Sequence, residues 1–205
     1  MIQFFFNAAL LIMCALCGTE VTNLKNNEDM NDVNEEKKVL VAFFSRADEN
    51  YAVGTIEKGN TQIVAEMIAA EKKADMFHIE TVKPYPAKYN ECIDVAMNEK
   101  RANARPEIKG DVNIADYDII FLGYPNWWGE MPMAVYTFIE RHDWHGKTVV
   151  PFCTHEGSGL SGTVQLIRNA CEGATVVDGL AVKGSVAQND RNAALKVVKE
   201  WLKKF

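Results

Sequence analysis

Three stretches of this sequence carry residue types whose spacing suits the binding of a phosphorylated, flat ligand. The first runs from Ser45-Arg46 to Gly59-Asn60-Thr61. Hydroxyls and an amide beside a glycine at the start of a helix offer free N–H groups and the positive end of the helix dipole to an anion, and Arg46 could add a bidentate ion pair. The same residues would also serve a well-capped helix that binds nothing. The second stretch is Gly123-Tyr-Pro-Asn-Trp-Trp-Gly-Glu-Met-Pro132. Two adjacent tryptophans cannot both point into one core, and an indole stacked on another ring gains about 1 kcal/mol beyond the area it buries. Gly123 and Gly129 let main-chain N–H groups come close to ring nitrogens and oxygens. The third stretch, Thr154-His-Glu-Gly-Ser-Gly-Leu-Ser-Gly162, can pass close under a planar group. His155 and Glu156 sit at its rim as candidate proton carriers, although a lone His is more often a hydrogen-bonded rim residue.

Two phosphate signatures are nearly met and fail. Gly54-Thr-Ile-Glu-Lys-Gly59-Asn60-Thr61 approaches GxxxxGK[ST], but Asn60 stands where the lysine that neutralises the β- and γ-phosphates belongs. Its first glycine also lies ten residues beyond Phe44, where the preceding strand ends. A single terminal phosphate fits this loop better than a triphosphate. Gly157-x-Gly159-x-x-Gly162, with Asp178 downstream, outlines a dinucleotide fingerprint. Thr154, His155 and Glu156 loosen the tight turn that fingerprint needs, and only 43 residues follow Gly162.

The elements that must position these loops alternate between strand and helix. Continuous apolar runs at Val39–Phe44, Ile119–Leu122 and Thr148–Cys153 read as strands covered on both faces. Met76–Thr81 alternates like an edge strand, and Ala174–Val177 supplies a fifth strand. Helices are expected from Asn60-Thr61 onward, over Glu91–Arg101 after the Pro84 and Pro86 loop, from Pro132 to Arg141, from Gly162 to Cys171, and from Asn192 to Lys203. Strands alternating with helices make an α/β fold with a doubly wound five-stranded parallel sheet. Right-handed crossovers then bring the loops after Phe44, Gly123 and Cys153 to one edge, where such sheets bind ligands.

Composition narrows the functional classes. The chain has 205 residues, 48% of them apolar, enough for one sizeable core. A formal charge of −6 with no basic stripe excludes a nucleic-acid partner. Five cysteines at wide spacing suggest neither a disulfide framework nor a zinc site, so no metal is expected. No GxSxG nucleophile motif is present. Residues 1–18 form an apolar leader suited to a signal peptide, although it carries no Lys or Arg. A polar linker spans 19–37, and the folded domain spans 38–205. Use of the leader would place the protein outside the cytoplasm or on the envelope, with membrane association only through its N-terminus. A start at Met30 would leave the protein in the cytoplasm.

Four motifs together resemble the flavodoxin-like family, most closely its single-domain bacterial members. They are Phe43-Phe-Ser-Arg-Ala-Asp-Glu-Asn-Tyr51, Gly59-Asn-Thr61, Gly123-Tyr-Pro-Asn-Trp-Trp-Gly129 and Pro151-Phe-Cys-Thr-His-Glu-Gly-Ser-Gly159. The resemblance implies a three-layer αβα domain of strand order 2-1-3-4-5 that holds FMN non-covalently. It implies phosphate contacts at Ser45, Arg46, Asn60 and Thr61, and ribityl and ring contacts at Pro125, Asn126, Trp127, Trp128 and Gly129. Thr154, His155, Gly157 and Gly159 would form the opposite wall. The insertion Ala47–Lys58 departs from the compact phosphate loop of such proteins and leaves open which of Asp48, Asn50 and Tyr51 reach the ligand. Glu130 and Glu156 are expected to disfavour the anionic reduced ring. The implied activity is electron transport to redox partner proteins, with an NAD(P)H-dependent reductase of quinone-type small-molecule acceptors as the alternative. A cofactor-free interaction domain is a third option.

Overall fold

The apolar runs at Val39, Ile119 and Thr148 become the middle of a parallel sheet. A computed structural model describes residues 37–205; the leader and the linker up to residue 36 lie outside the described residues. In chain order the elements are β1 (Val39–Phe43), β2 (Asp48–Asn50), β3 (Gly54–Ile56), α1 (Asn60–Lys72), β4 (Asp75–His78) and α2 (Tyr89–Arg101). A 3-10 turn (Ile114–Asp116) precedes β5 (Ile119–Pro125), α3 (Met133–Glu140), β6 (Thr148–His155) and α4 (Thr163–Ala170). β7 (Thr175–Val176), β8 (Leu180–Lys183), α5 (Gly184–Asn189) and α6 (Arg191–Leu202) end the chain. Among the described residues, no helix is long and apolar enough to cross a membrane.

The sheet order is β4-β1-β5-β6-β7, with every pairing parallel and β8 also on β6. This is the expected 2-1-3-4-5 order with its fifth strand in two pieces. Pro151 explains the break. Val177 N–H donates to the Val149 carbonyl, so Val149 turns its polar groups toward the fifth strand. Two residues on, Pro151 faces the same way and has no N–H to give. Thr148 pairs with Thr175 but Phe152 with Leu180, so the neighbouring chain carries one extra residue where it passes the proline.

Side chains alternate between the two faces of the sheet. Leu40, Ala42, Ile120, Leu122 and Tyr124 pack under α3 and α4 through Val135, Phe138 and Ile167. Val41, Phe43, Phe121, Val150 and Phe152 pack under α1, α5 and α6 through Ile63, Ile68, Ala187, Val198 and Trp201. The insertion after β1 is not a plain loop: β2 and β3 pair as an antiparallel hairpin outside the main sheet.

Phe43, Gly123 and Phe152 lie side by side on β1, β5 and β6. The fully buried Phe152 ring lies over the glycine, where a Cβ would collide with it. Gly123→Ala is therefore expected to destabilise the protein by about 1–3 kcal/mol, the usual cost of overpacking a filled core. Urea unfolding of the variant would measure it; an unchanged midpoint would show that the ring can move aside.

Candidate functional site

The carboxyl ends of β1, β5 and β6 open onto a cleft of about 350 Å³. The first loop and the hairpin supply Arg46, Asn50 and Tyr51 to its lining, and the start of α1 supplies Asn60. The β5 loop supplies Pro125, Asn126, Trp127 and Trp128, and the β6 loop supplies Thr154, His155, Glu156 and Ser158. The fourth wall is α2, through Tyr89, Cys92, Ile93 and Ala96. Of the residues expected from sequence, Ser45, Thr61, Gly129, Gly157 and Gly159 are not part of this lining.

At the start of α1, Ser45 Oγ accepts from the Gln62 amide at 3.0 Å. The buried Thr61 hydroxyl bonds the Thr154 hydroxyl at 2.7 Å, joining the first loop to the third. The amides of Asn60 and Thr61 find no acceptor among the described residues. Asn60 Oδ1 is buried without a donor. Unclaimed amides at a helix N-terminus suit an anion, and the orphaned Oδ1 suits a hydroxyl-bearing chain. The Arg46 guanidinium is engaged within the protein. Its Nη1 donates to the Glu49 carbonyl at 2.7 Å, and its Nη2 donates to the carbonyls of Pro86 and Ala87 at 2.7 and 2.6 Å.

The two tryptophans part company at a tight turn. Trp127 and Glu130 exchange backbone hydrogen bonds, with φ of 57° at Trp128 and 79° at Gly129 between them. Both central residues are left-handed, which glycine adopts freely and tryptophan does not. Three bonds hold Trp128 in that conformation. Lys100 Nζ donates to its carbonyl at 2.7 Å, its indole N–H donates to the Ile93 carbonyl at 3.3 Å, and Gly129 N–H donates to Asn126 Oδ1 at 3.0 Å. Trp127 packs edge-on against Phe44 and Tyr85 at 5.3 and 5.1 Å. Trp128 stays 49% exposed at the cleft.

In the third loop, His155 Nδ1 accepts from the amides of Gly157 and Gly159 at 2.9 and 3.0 Å. An acceptor Nδ1 leaves the neutral ring's hydrogen on Nε2. Burial holds the His155 pKa below its ordinary value; Glu156 opposes this, and Lys183 adds to it. Glu156 takes the Ser185 amide on Oε1 and the Ser185 hydroxyl on Oε2, at 2.5 and 2.8 Å, so its carboxylate caps α5. Glu130 does not border the cleft. Lys100 pairs with it at 3.3 Å and Tyr136 donates to it at 2.6 Å. Of the two carboxylates expected to act on a reduced ring, only Glu156 reaches the lining, because Glu130 is turned into this pair.

The α2 wall is not legible in the sequence. Tyr89, Cys92, Ile93 and Ala96 fall at i, i+3, i+4 and i+7, a helical stripe indistinguishable from one that packs on a core. Burial raises the Cys92 pKa, with Arg46 pulling the other way, so this free cysteine stays a thiol at neutral pH. Tyr51 of the hairpin lies 5.9 Å from Tyr89, which places both at the same rim. Among the described residues, no cluster of three or more His, Cys, Asp or Glu could hold a metal ion.

The sequence model described as Flavodoxin matches residues 38–204. The chain belongs to the flavodoxin family. Among solved structures, a candidate flavoprotein of Bacteroides eggerthii is 31% identical, with a TM-score of 0.63 over 82% of this chain and 96% of its own. One from Bacteroides uniformis is 29% identical, with a TM-score of 0.62 over 82% and 98%. A flavoprotein of Lactobacillus acidophilus NCFM in complex with FMN shares the fold at 22% identity, with a TM-score of 0.58 over 73% and 95%. No curated protein matches the chain.

The third loop carries a pH-dependent contribution to stability. The folded pKa of His155 is depressed, so below the unfolded value of about 6.5 the unfolded chain binds the proton more readily. Stability should therefore fall as pH drops below that value and be level above it. His155→Gln should flatten the part of the slope that belongs to this ring, read as the difference between wild-type and variant urea unfolding from pH 5 to 8. His142 is depressed by burial in the same direction, so only the difference between the two proteins counts. Parallel curves would contradict the assignment.

Proposed function

We propose that this chain carries electrons through non-covalently bound FMN. FMN is the cofactor of the family to which the chain belongs, and the cleft's own chemistry fits it. The α1 amides and Asn60 meet the needs of a phosphate and a hydroxylated chain, while Trp127, Trp128, Tyr89 and Ile93 offer faces for a ring. Bound FMN supplies the redox chemistry at its ring. The protein's own residues bind and orient: Thr61 and Thr154 fix the phosphate end, Trp128 provides an indole face, and His155 keeps the glycine loop in shape.

The observation that favours a carrier is the cleft's charge. Arg46 and Glu156 are the charged residues of its lining besides the neutral His155, and both Arg46 terminal nitrogens already serve carbonyls. A nicotinamide dinucleotide would find no cationic cradle there for its diphosphate. The volume of about 350 Å³ also lies near the lower end for small-molecule sites, suited to one cofactor without a second chamber. Redox partner proteins would take electrons at the open rim beside Trp128. A second reading, an NAD(P)H-dependent reductase of a flat quinone-type acceptor, draws support from Tyr51 and Trp128, 63% and 49% exposed at that rim, because each offers a stacking face.

The test is uptake of FMN by the purified full-length protein. Stoichiometric binding with quenching of flavin fluorescence is expected, and a colourless protein that takes up no FMN would point to a cofactor-free interaction domain. Stopped-flow mixing with NADPH then separates the two redox readings. A carrier's flavin bleaches only when a reductase is added; rapid bleaching by NADPH alone would favour the enzyme.

A further inference from the structure

We infer that Arg46 is a positioning residue, a strut that holds the β2–β3 hairpin and the head of α2 together as one wall of the cleft, and that it does not ligate the phosphate. This inference rests on the FMN reading for one arm of its test and is independent of it for the other. The guanidinium reaches three carbonyls on two segments far apart in sequence: Glu49 in β2, and Pro86 and Ala87 just before α2. Two further bonds close the same junction. Glu49 N–H donates to the Ala87 carbonyl at 3.1 Å, and Glu49 Oε2 accepts from Tyr89 N–H at 2.9 Å. The hairpin needs such fastening because its strands are three residues each and largely exposed, and an isolated two-stranded hairpin is marginal in water.

What Arg46 has left to offer a ligand is poorly placed. Only its Nε lacks a partner, and that atom is buried, while both terminal nitrogens already serve carbonyls. The junction it holds carries Asn50 and Tyr51 on one side and Tyr89, Cys92 and Ile93 on the other, all of them lining residues. Arg46 therefore acts on the ring end of the cleft through these side chains. A planar fork can bridge three carbonyls at once, whereas a lysine is a single point of charge and cannot.

Riboflavin, which is FMN without its phosphate, separates the strut from the ligand. Flavin-free full-length protein and its Arg46→Gln, Arg46→Lys and Glu49→Ala variants would be titrated with FMN and with riboflavin by fluorescence quenching. Amide hydrogen exchange would be followed in the flavin-free proteins. The strut predicts that Arg46→Gln and Arg46→Lys weaken both flavins by the same factor, about tenfold, the scale of one lost charge-assisted hydrogen bond. Glu49→Ala leaves the cation in place at an exposed position and should also weaken both flavins equally. Exchange should quicken in residues 48–56 and 87–92 of all three variants.

Loss of FMN affinity with riboflavin affinity unchanged would overturn the inference, as would wild-type FMN affinity in Arg46→Lys or unaltered exchange in those segments. If the wild-type protein binds neither flavin, the FMN reading fails, and the exchange measurements alone decide whether Arg46 is the strut.

Discussion

Parallel pairing is the constraint on which the site depends. Parallel strands cannot be joined by a short turn, so each return passes through a helix and every strand ends at the same edge. Here that rule aligns Phe43, Gly123 and Phe152 across three strands, and the chain leaves each of them into a loop facing the same cleft. The sheet has the twofold coverage that parallel strands require, with α1, α5 and α6 on one face and α3 and α4 on the other. α2 contributes little to either core. Its apolar stripe looks onto the cleft.

Alignment alone would leave three loose loops. The structure ties them to one another before any ligand arrives. Asn126 is central: its backbone N–H donates to the Thr154 carbonyl at 2.8 Å, and its side-chain amide donates to the Gly159 carbonyl and the Ser161 hydroxyl, both at 3.0 Å. Its Oδ1 meanwhile holds the Trp128 turn through Gly129. The buried Thr61–Thr154 pair joins residues 93 apart in sequence, and His155 supplies a shared acceptor for two glycine amides. A cleft organised in this way has less ordering entropy to lose when a cofactor enters. Thr61 and Gly159 are not part of the cleft lining but belong to this network, and Asn126 both lines the cleft and ties its walls.

The legible part of the fold is the part that gets buried. Continuous apolar runs reported β1, β5 and β6 because strands covered on both faces leave little room for polar residues, and the loops after them were legible through their unusual composition. The hairpin is not, since Asp48–Asn50 and Gly54–Ile56 are too short to show a period. β8 was lost behind Val177-Asp178-Gly179, which reads as the end of a strand; only the structure shows the proline opposite that forces the break. Arg46 illustrates a different limit. Its type suggested an ion pair with a phosphate, but where a guanidinium's donors go depends on carbonyls 40 and 41 residues away.

The central claim is that the phosphate end of FMN is received by the first turn of α1. The most direct measurement is an amide chemical-shift map of the flavin-free protein titrated with FMN. The account predicts the largest shifts at Asn60 and Thr61, whose amides gain an acceptor, with further shifts at Trp128, Gly157 and Gly159. A map in which FMN moves other amides and leaves Asn60 and Thr61 unchanged would contradict it.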